Sequence, residues 1–217
     1  MTVNKIKTFI SLCELFEQNG FNLYLVGGST RDYLLGKELT DMDVTTNATP
    51  NEIKVFLKGG DYTYEKYGSV KVKFQEVKFD ITTLRKESKY KDSRHPEEIE
   101  FTNKLKEDVK RRDLTVNALY LDKELNVIDL VNGQEDLKNK ILRFIGDPKT
   151  RIVEDPLRII RILRFSLDLG FEIENTSKNA IFSKINLINK LNPSKVDSEI
   201  NKCSNKINLF NLLKVIK

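Results

Sequence analysis

Apolar residues at Val3, Ile6, Phe9, Ile10, Cys13 and Phe16 recur at helical spacing and stop at Asn19-Gly20, so the pattern predicts an amphipathic helix over 3–18. The apolar run over 21–26 predicts a buried strand that breaks at Gly27-Gly28, and 31–35 has the length of one or two helical turns closed by Gly36. A short second strand is expected over 41–46. Thr49-Pro50-Asn51-Glu52 has the form of a capping box with proline at the first helical position, opening a helix to about Lys58. Val70, Val72 and Phe74 alternate with polar residues, as do Val77, Phe79 and Ile81, which predicts two strands joined around Gln75-Glu76. These elements make an α/β (α+β) domain with a mixed or antiparallel sheet.

Beyond this the pattern changes. The stretch 85–100 carries too much charge and too little periodicity for a core element and reads as a mobile loop. Helical pattern returns at about Lys104 and over 114–121, and a strand is expected near 126–130. From Asp147 onward only helices are expected, separated by Gly170, Asn175-Thr176 and Asn192-Pro193. A boundary near 145–148 therefore divides residues 1–145 from an all-helical segment, 146–217.

Composition narrows the chemistry. No apolar stretch approaches the roughly 18 residues of a membrane span, and Lys5, Lys7, Glu14 and Glu17 interrupt the first helix where a signal peptide would stay apolar. A reducing cytoplasm is the expected compartment. Cys13 and Cys203 lack metal-ligand spacing, and the single histidine, His95, leaves no Ser/His/Asp arrangement and no zinc site. Catalysis must then rest on carboxylates, which suit a hard ion such as Mg²⁺. The net charge is +5, and residues 171–217 hold eight Lys against four Asp or Glu; this basic tail fits a polyanionic partner and equally a solvated Lys-rich helical surface.

Asp41 and Asp43 flank Met42 on a predicted strand, so their side chains share one face and are able to share metal ions. With fifteen aspartates in the chain, one such spacing is expected by chance, so the surroundings decide. Upstream, a buried strand runs into Gly27-Gly28-Ser29-Thr30-Arg31-Asp32 and a helical turn, where backbone N–H groups and Arg31 are placed to meet phosphate oxygens; Arg31 paired with Asp32 beside a plain turn explains the same letters. Asp80 alternates with Phe79 and Ile81, so it faces away from the core, either completing a carboxylate triad or facing solvent. In Arg111-Arg112-Asp113, Arg112 suits a phosphate and Asp113 a helix cap, with Asn117 downstream suited to a sugar hydroxyl; a solvated basic turn is the plain alternative. Asp155-Pro156 starts a helix on which Ile159, Ile160 and Leu163 share one face and Arg158, Arg161 and Arg164 form an opposite stripe without intervening acids. Those guanidinium groups suit phosphates, and Asp155 with Arg158 has the donors and acceptors to read a base; a wet basic face is the competing account.

Taken together, these motifs resemble the bacterial-type (class II) tRNA CCA-adding nucleotidyltransferases and their poly(A) polymerase relatives, over about 23–171. The resemblance implies a polymerase-β-like nucleotidyltransferase head followed by a helical neck, with Mg²⁺ held by Asp41 and Asp43 and Asp80 as a third catalytic carboxylate. It implies nucleotide contacts at Gly28, Arg31, Arg112, Asp155, Arg158, Arg161 and Arg164, with Asp155 and Arg158 standing in for a template. Arg85-Lys86-Glu87, Tyr90, Asp92, Arg94 and Pro96 resemble the loop that the family needs to add the terminal A. The implied reaction is addition of C and A to a tRNA 3′ end from CTP and ATP, with a poly(A) polymerase or a catalytically silent nucleotide- or RNA-binding module as rival readings. Ser29-Thr30 departs from the family's small and apolar pair, and Asp80 stands where Glu is commoner. The family continues into body and tail regions that grip tRNA, whereas this sequence stops within or just after the neck. A second chain or a further C-terminal region is therefore expected to complete tRNA binding.

Overall fold

The computed structural model describes residues 2–90 and 96–216; expectations for Asp92, Arg94 and His95, and for the side chains of Tyr90 and Pro96, lie outside the described residues. The chain forms two compact units, one of Met1–Glu87, Glu98–Arg112 and Asn117–Gly133, the other of Ser88–Glu97, Asp113–Val116 and Gln134–Lys217.

The first unit begins with α1 (Thr2–Gln18), β1 (Leu23–Leu25), α2 (Gly27–Leu34), β2 (Asp43–Thr46) and α3 (Pro50–Phe56). It continues through β3 (Ser69–Phe74), β4 (Val77–Thr83), β5 (Arg85–Tyr90, as far as Glu87), β6 (Pro96–Phe101, from Glu98), α4 (Leu105–Asp108), β7 (Tyr120–Leu121) and β8 (Val127–Ile128). Six strands make a mixed sheet in the order β3-β4-β2-β1-β7-β8, in which β2 and β4 run parallel and the other pairs antiparallel. The helical stripe of α1 buries Phe9, Leu12, Cys13 and Phe16 in a core cluster with Leu25, Val44, Phe79 and Ile81 from the sheet. Thr49 and Glu52 form the expected capping box of α3, and Phe56 then meets Phe16 edge-on with ring centroids 5.0 Å apart. Gln75 and Glu76 join β3 to β4 with positive φ of 44° and 65°, the backbone twist that a two-residue hairpin needs.

The second unit contains α5 (Gly133–Lys138, from its second residue), β9 (Ile141–Leu142), α6 (Pro148–Glu154), α7 (Leu157–Leu169), β10 (Glu172–Ile173), α8 (Asn175–Lys184), α9 (Pro193–Asn201) and α10 (Lys206–Ile216). The apolar face of α7 is buried at Ile159, Ile160 and Leu163, and α9 and α10 pack against this helix.

Three expectations change. The stretch 85–100 is not a loop throughout: β5 and β6 form a two-stranded sheet, with the ion pair Lys86–Glu100 at 3.4 Å. The run of charged residues in the sequence hides the strand signal, which Ile99 and Phe101 alone are too few to carry. Residues 114–121 are not a helix but a 3-10 turn (Thr115–Asn117) followed by β7, because all eight are buried and Leu121 pairs with Leu25 in the sheet. The segment after 146 is not wholly helical, since β10 pairs in parallel with β9. By its contacts, 134–145 groups with the second unit.

Candidate active site

Three backbone segments of the first unit converge on Asp43. The helix α2 starts at Gly27, earlier than the sequence pattern suggested, and Gly27 holds φ at +70°. A Cβ there would just touch Asp43 Oδ2, at 3.4 Å, so it is the left-handed backbone beside the carboxylate that calls for glycine. Val26 N–H donates to the Asp43 carbonyl at 2.9 Å, and Asp80 N–H donates to the Met42 carbonyl at 3.0 Å. Met42 and Val44 point into the core, which turns Asp43 to the other face; Phe79 and Ile81 do the same for Asp80. In the parallel β2–β4 ladder Asp43 and Asp80 are register partners, so the two carboxylates are neighbours on one face.

Asp41 is placed differently from the expectation. It precedes β2 rather than lying on it and is exposed. Ser29 ties it down: its hydroxyl donates to the Asp41 carbonyl at 3.1 Å and accepts from Asp43 N–H at 2.9 Å, bridging Met42. Ser29, noticed in the sequence only as a departure, is thus a positioning residue for both acids. Burial pushes Asp43 up to about 6, followed by the charges of Asp80 and then Asp41, with Arg112 and Lys71 opposing. Asp80 therefore weighs on Asp43 more than Asp41 does. Lys71 approaches Asp80 at 3.3 Å across the β3–β4 ladder, but both side chains are about half exposed, so this pair contributes little.

A cavity of about 400 Å³ opens here, lined by Gly27, Asp43, Asp80, Arg85, Arg111 and Arg112 among others. Its cationic side is built on a residue that sequence reasoning missed. Asp108 is fully buried and receives Arg111 Nε at 2.7 Å, Arg112 NH2 at 2.7 Å and the Tyr120 hydroxyl at 3.1 Å. Burial alone would raise its carboxyl, but the Arg112 and Arg111 guanidinium groups outweigh this and bring it down to about 2. The signal available was spacing: an acid at i with arginines at i+3 and i+4.

Gly28 and Arg31 do not line this cavity. Arg31 is buried and donates to Asp32 Oδ1 (2.9 and 3.0 Å) and to Asn117 Oδ1 (2.6 Å), and a Cβ on Gly28 would sit 3.5 Å from Arg31 NH2. The pairing of Arg31 with Asp32, one of the two readings of the sequence, is present.

The remaining expected residues belong to the second unit. Asp155 accepts from Leu157 N–H at 3.0 Å at the start of α7. Arg158 is buried and donates to Glu154 Oε2 (3.1 Å) and the Arg151 carbonyl (3.0 Å). Arg161 pairs with Asp113 at 2.6 Å, and Arg164 with Glu199 at 2.9 Å and Asp168 at 3.2 Å. The stripe is therefore braced by acids: Glu154 and Asp168 lie four residues away along the chain, whereas Asp113 and Glu199 come from outside α7, beyond any local window. Burial would raise the Asp113 carboxyl, yet Arg161 and the hydrogen bonds from Arg161 and Leu114 hold it down to about 2.

For a divalent ion the donor set is suitable in kind. Asp43 and Asp80 are adjacent hard oxygen ligands, and their mutual repulsion is relieved by a cation. Among the described residues, no three acidic, cysteine or histidine side chains are already grouped closely enough to hold one.

A family model described as the poly A polymerase head domain matches residues 23–143, the segment that contains both the carboxylate pair and the arginine cluster. The chain belongs to that family. It is 43% identical over 187 residues to a CCA-adding enzyme of Lactobacillus helveticus, covering 86% of this chain and 47% of that protein. Among solved structures it resembles the Bacillus stearothermophilus CCA-adding enzyme in complex with CTP, with a TM-score of 0.83 and 29% identity over 91% of this chain and 48% of the other. It also resembles a tRNA nucleotidyltransferase complexed with a primer tRNA and an incoming ATP analogue, with a TM-score of 0.78 and 27% identity over 94% and 60% of the two chains. The chain spans about half the length of the curated relatives it matches.

Proposed function

We propose that this chain carries the catalytic part of a template-independent RNA nucleotidyltransferase that adds C and A to the 3′ end of tRNA from CTP and ATP. The observation that carries this reading is one cavity lined both by two adjacent carboxylates and by a guanidinium cluster held on a buried acid. Relatives named as CCA-adding enzymes, and solved relatives holding CTP or an ATP analogue with tRNA, support it. In the reaction the tRNA 3′-hydroxyl oxygen forms a bond to the α-phosphorus and gives up its proton to solvent water, the bond from that phosphorus to the oxygen it shares with the β-phosphorus breaks, and pyrophosphate leaves.

Arg111 and Arg112 hold the triphosphate through charge-assisted hydrogen bonds. Asp43 and Asp80, with Asp41 tied alongside by Ser29, would hold Mg²⁺. The ion, when bound, would stabilise negative charge on the reacting phosphate. Catalysis is otherwise positioning and fixed electrostatics, with no acid or base of special reactivity required. In the second unit, Asp155 and Arg158 select the base, and Arg161 and Arg164 contact the nucleotide after exchanging carboxylate for ligand. Division into a head, 1–145, and a neck, 146–217, remains the functional reading, with the cytoplasm as its compartment and a further region or a second chain completing the tRNA grip. No helix among the described residues is long and apolar enough to cross a membrane.

The test is incubation with tRNA transcripts ending before CCA, after C and after CC, each with CTP or ATP alone. Stepwise addition of C, C and A supports the proposal. A long A tract assigns poly(A) polymerase activity instead, to which the family's head-domain name also points. Nucleotide binding without extension at any Mg²⁺ concentration leaves a silent binding module.

A further inference from the structure

Asp108 has no part in the reaction just described, yet it is completely buried, an expensive place for a carboxylate. Its two oxygens are fully engaged. One receives Arg111 Nε (2.7 Å) and the Arg85 backbone N–H (3.3 Å); the other receives Arg112 Nε and NH2 (2.9 and 2.7 Å) and the Tyr120 hydroxyl (3.1 Å). The Tyr120 hydroxyl also accepts from Arg112 Nε at 3.1 Å, and the Arg112 guanidinium lies over the Tyr120 ring at 5.1 Å. All three arginines on this carboxylate line the cavity that holds Asp43 and Asp80. Two negative charges, Asp108 and Glu87, against Arg85, Arg111 and Arg112 leave that wall net positive, while Asp108 fixes the Arg111 and Arg112 guanidinium planes.

Resting on the proposed nucleotidyl transfer, we infer that Asp108 is the positioning residue for triphosphate recognition: it aims Arg111 and Arg112 into the cavity, with Tyr120 as its second support. It touches no substrate. Its effect is on the phosphate chain and not on the base, because both arginines it holds line the same cavity as Asp43 and Asp80.

The sign of the effect separates this role from simple electrostatics. Removing a buried negative charge beside two arginines raises the local positive potential, so a bystander carboxylate predicts tighter triphosphate binding in Asp108→Asn. Positioning predicts weaker binding. The experiment measures, on the full chain, displacement of a fluorescent ATP analogue by ATP, AMP and inorganic tripolyphosphate. In Asp108→Asn, affinity for ATP and tripolyphosphate is expected to fall roughly tenfold to a hundredfold, the usual range for loss of hydrogen bonds to a charged group, with AMP unchanged. Tyr120→Phe, which keeps the charge and removes one support, is expected to lose a smaller factor in the same direction.

A merely structural role lowers the melting temperature without moving the ATP-to-AMP ratio, and that outcome overturns the inference. So does tighter binding in Asp108→Asn. If that variant fails to fold, an unchanged ratio in Tyr120→Phe overturns it equally. A wild-type chain that does not prefer ATP over AMP would instead refute the proposed function, leaving the two failures distinguishable.

Discussion

Replacing Asp43 with asparagine should stabilise the fold while abolishing nucleotide transfer. The carboxyl stands at about 6 in the folded chain against 3.8 ordinarily, because burial, Asp80 and then Asp41 all disfavour its charge. At ~1.4 kcal/mol per unit, the raised value corresponds to at most about 3 kcal/mol. The side chain keeps some contact with solvent, which reduces the expected gain to roughly 1–2 kcal/mol. A folded value above the unfolded one means that the penalty is absent below about pH 4. It grows as pH rises through the window from about 4 to about 6, and is complete above it. Urea unfolding with chelator present, followed by circular dichroism at pH 4 and pH 8, reads this directly. The Asp43→Asn advantage should appear at pH 8, vanish at pH 4, and shrink at pH 8 when excess Mg²⁺ replaces the chelator. An advantage of equal size at both pH values, or none at pH 8, would refute the reasoning, since neither follows from a buried, crowded carboxylate.

Gly27→Ala forces an L side chain into φ +70° and against the Asp43 carboxylate; a loss of about 1–2 kcal/mol in unfolding free energy is expected, with a drop in turnover larger than that of an alanine placed at exposed Gly36. Thr30 buries its hydroxyl without a hydrogen-bond partner, so Thr30→Val should raise stability by about 1 kcal/mol in the same urea assay; a loss would show that the hydroxyl is satisfied in solution. Asp113 is held down to about 2 by Arg161, so its contribution is complete above about pH 4 and disappears as pH falls through 2. The melting temperature of Asp113→Asn should therefore lie below wild type at pH 7 and approach it near pH 2.

What the sequence made legible follows from how far apart the cooperating residues lie. Alternation about Phe79 and Ile81 was enough to turn Asp80 away from the core but left open whether it joins the other acids or faces solvent, and only the β2–β4 register sets it beside Asp43. The helical stripe of α1 and the capping box of α3 were likewise local, and both are present. The arginines of α7 were not legible in this way. Glu154 and Asp168 stood within reach of the local window, but the acids that hold Arg161 and most closely hold Arg164, Asp113 and Glu199, come from outside the helix, so a stripe that looked solvent-facing is instead braced. Residues 114–121 misled for the opposite reason: complete burial removed the polar face by which a helix is told from a strand. Asp108 was hidden by its ordinary helical neighbourhood, because only the tertiary position of Tyr120 reveals that the carboxylate is enclosed.

Met42 lies between the two acids and is itself part of the hydrophobic cluster beneath the sheet. The spacing of Asp41 and Asp43 is thus inherited from how a thioether seats among its apolar neighbours, with Ser29 clasping the backbone on either side. Interior and reactive surface share one residue, so drift in the oily side of the molecule is felt at once on its wet side. Evolution has correspondingly little freedom there.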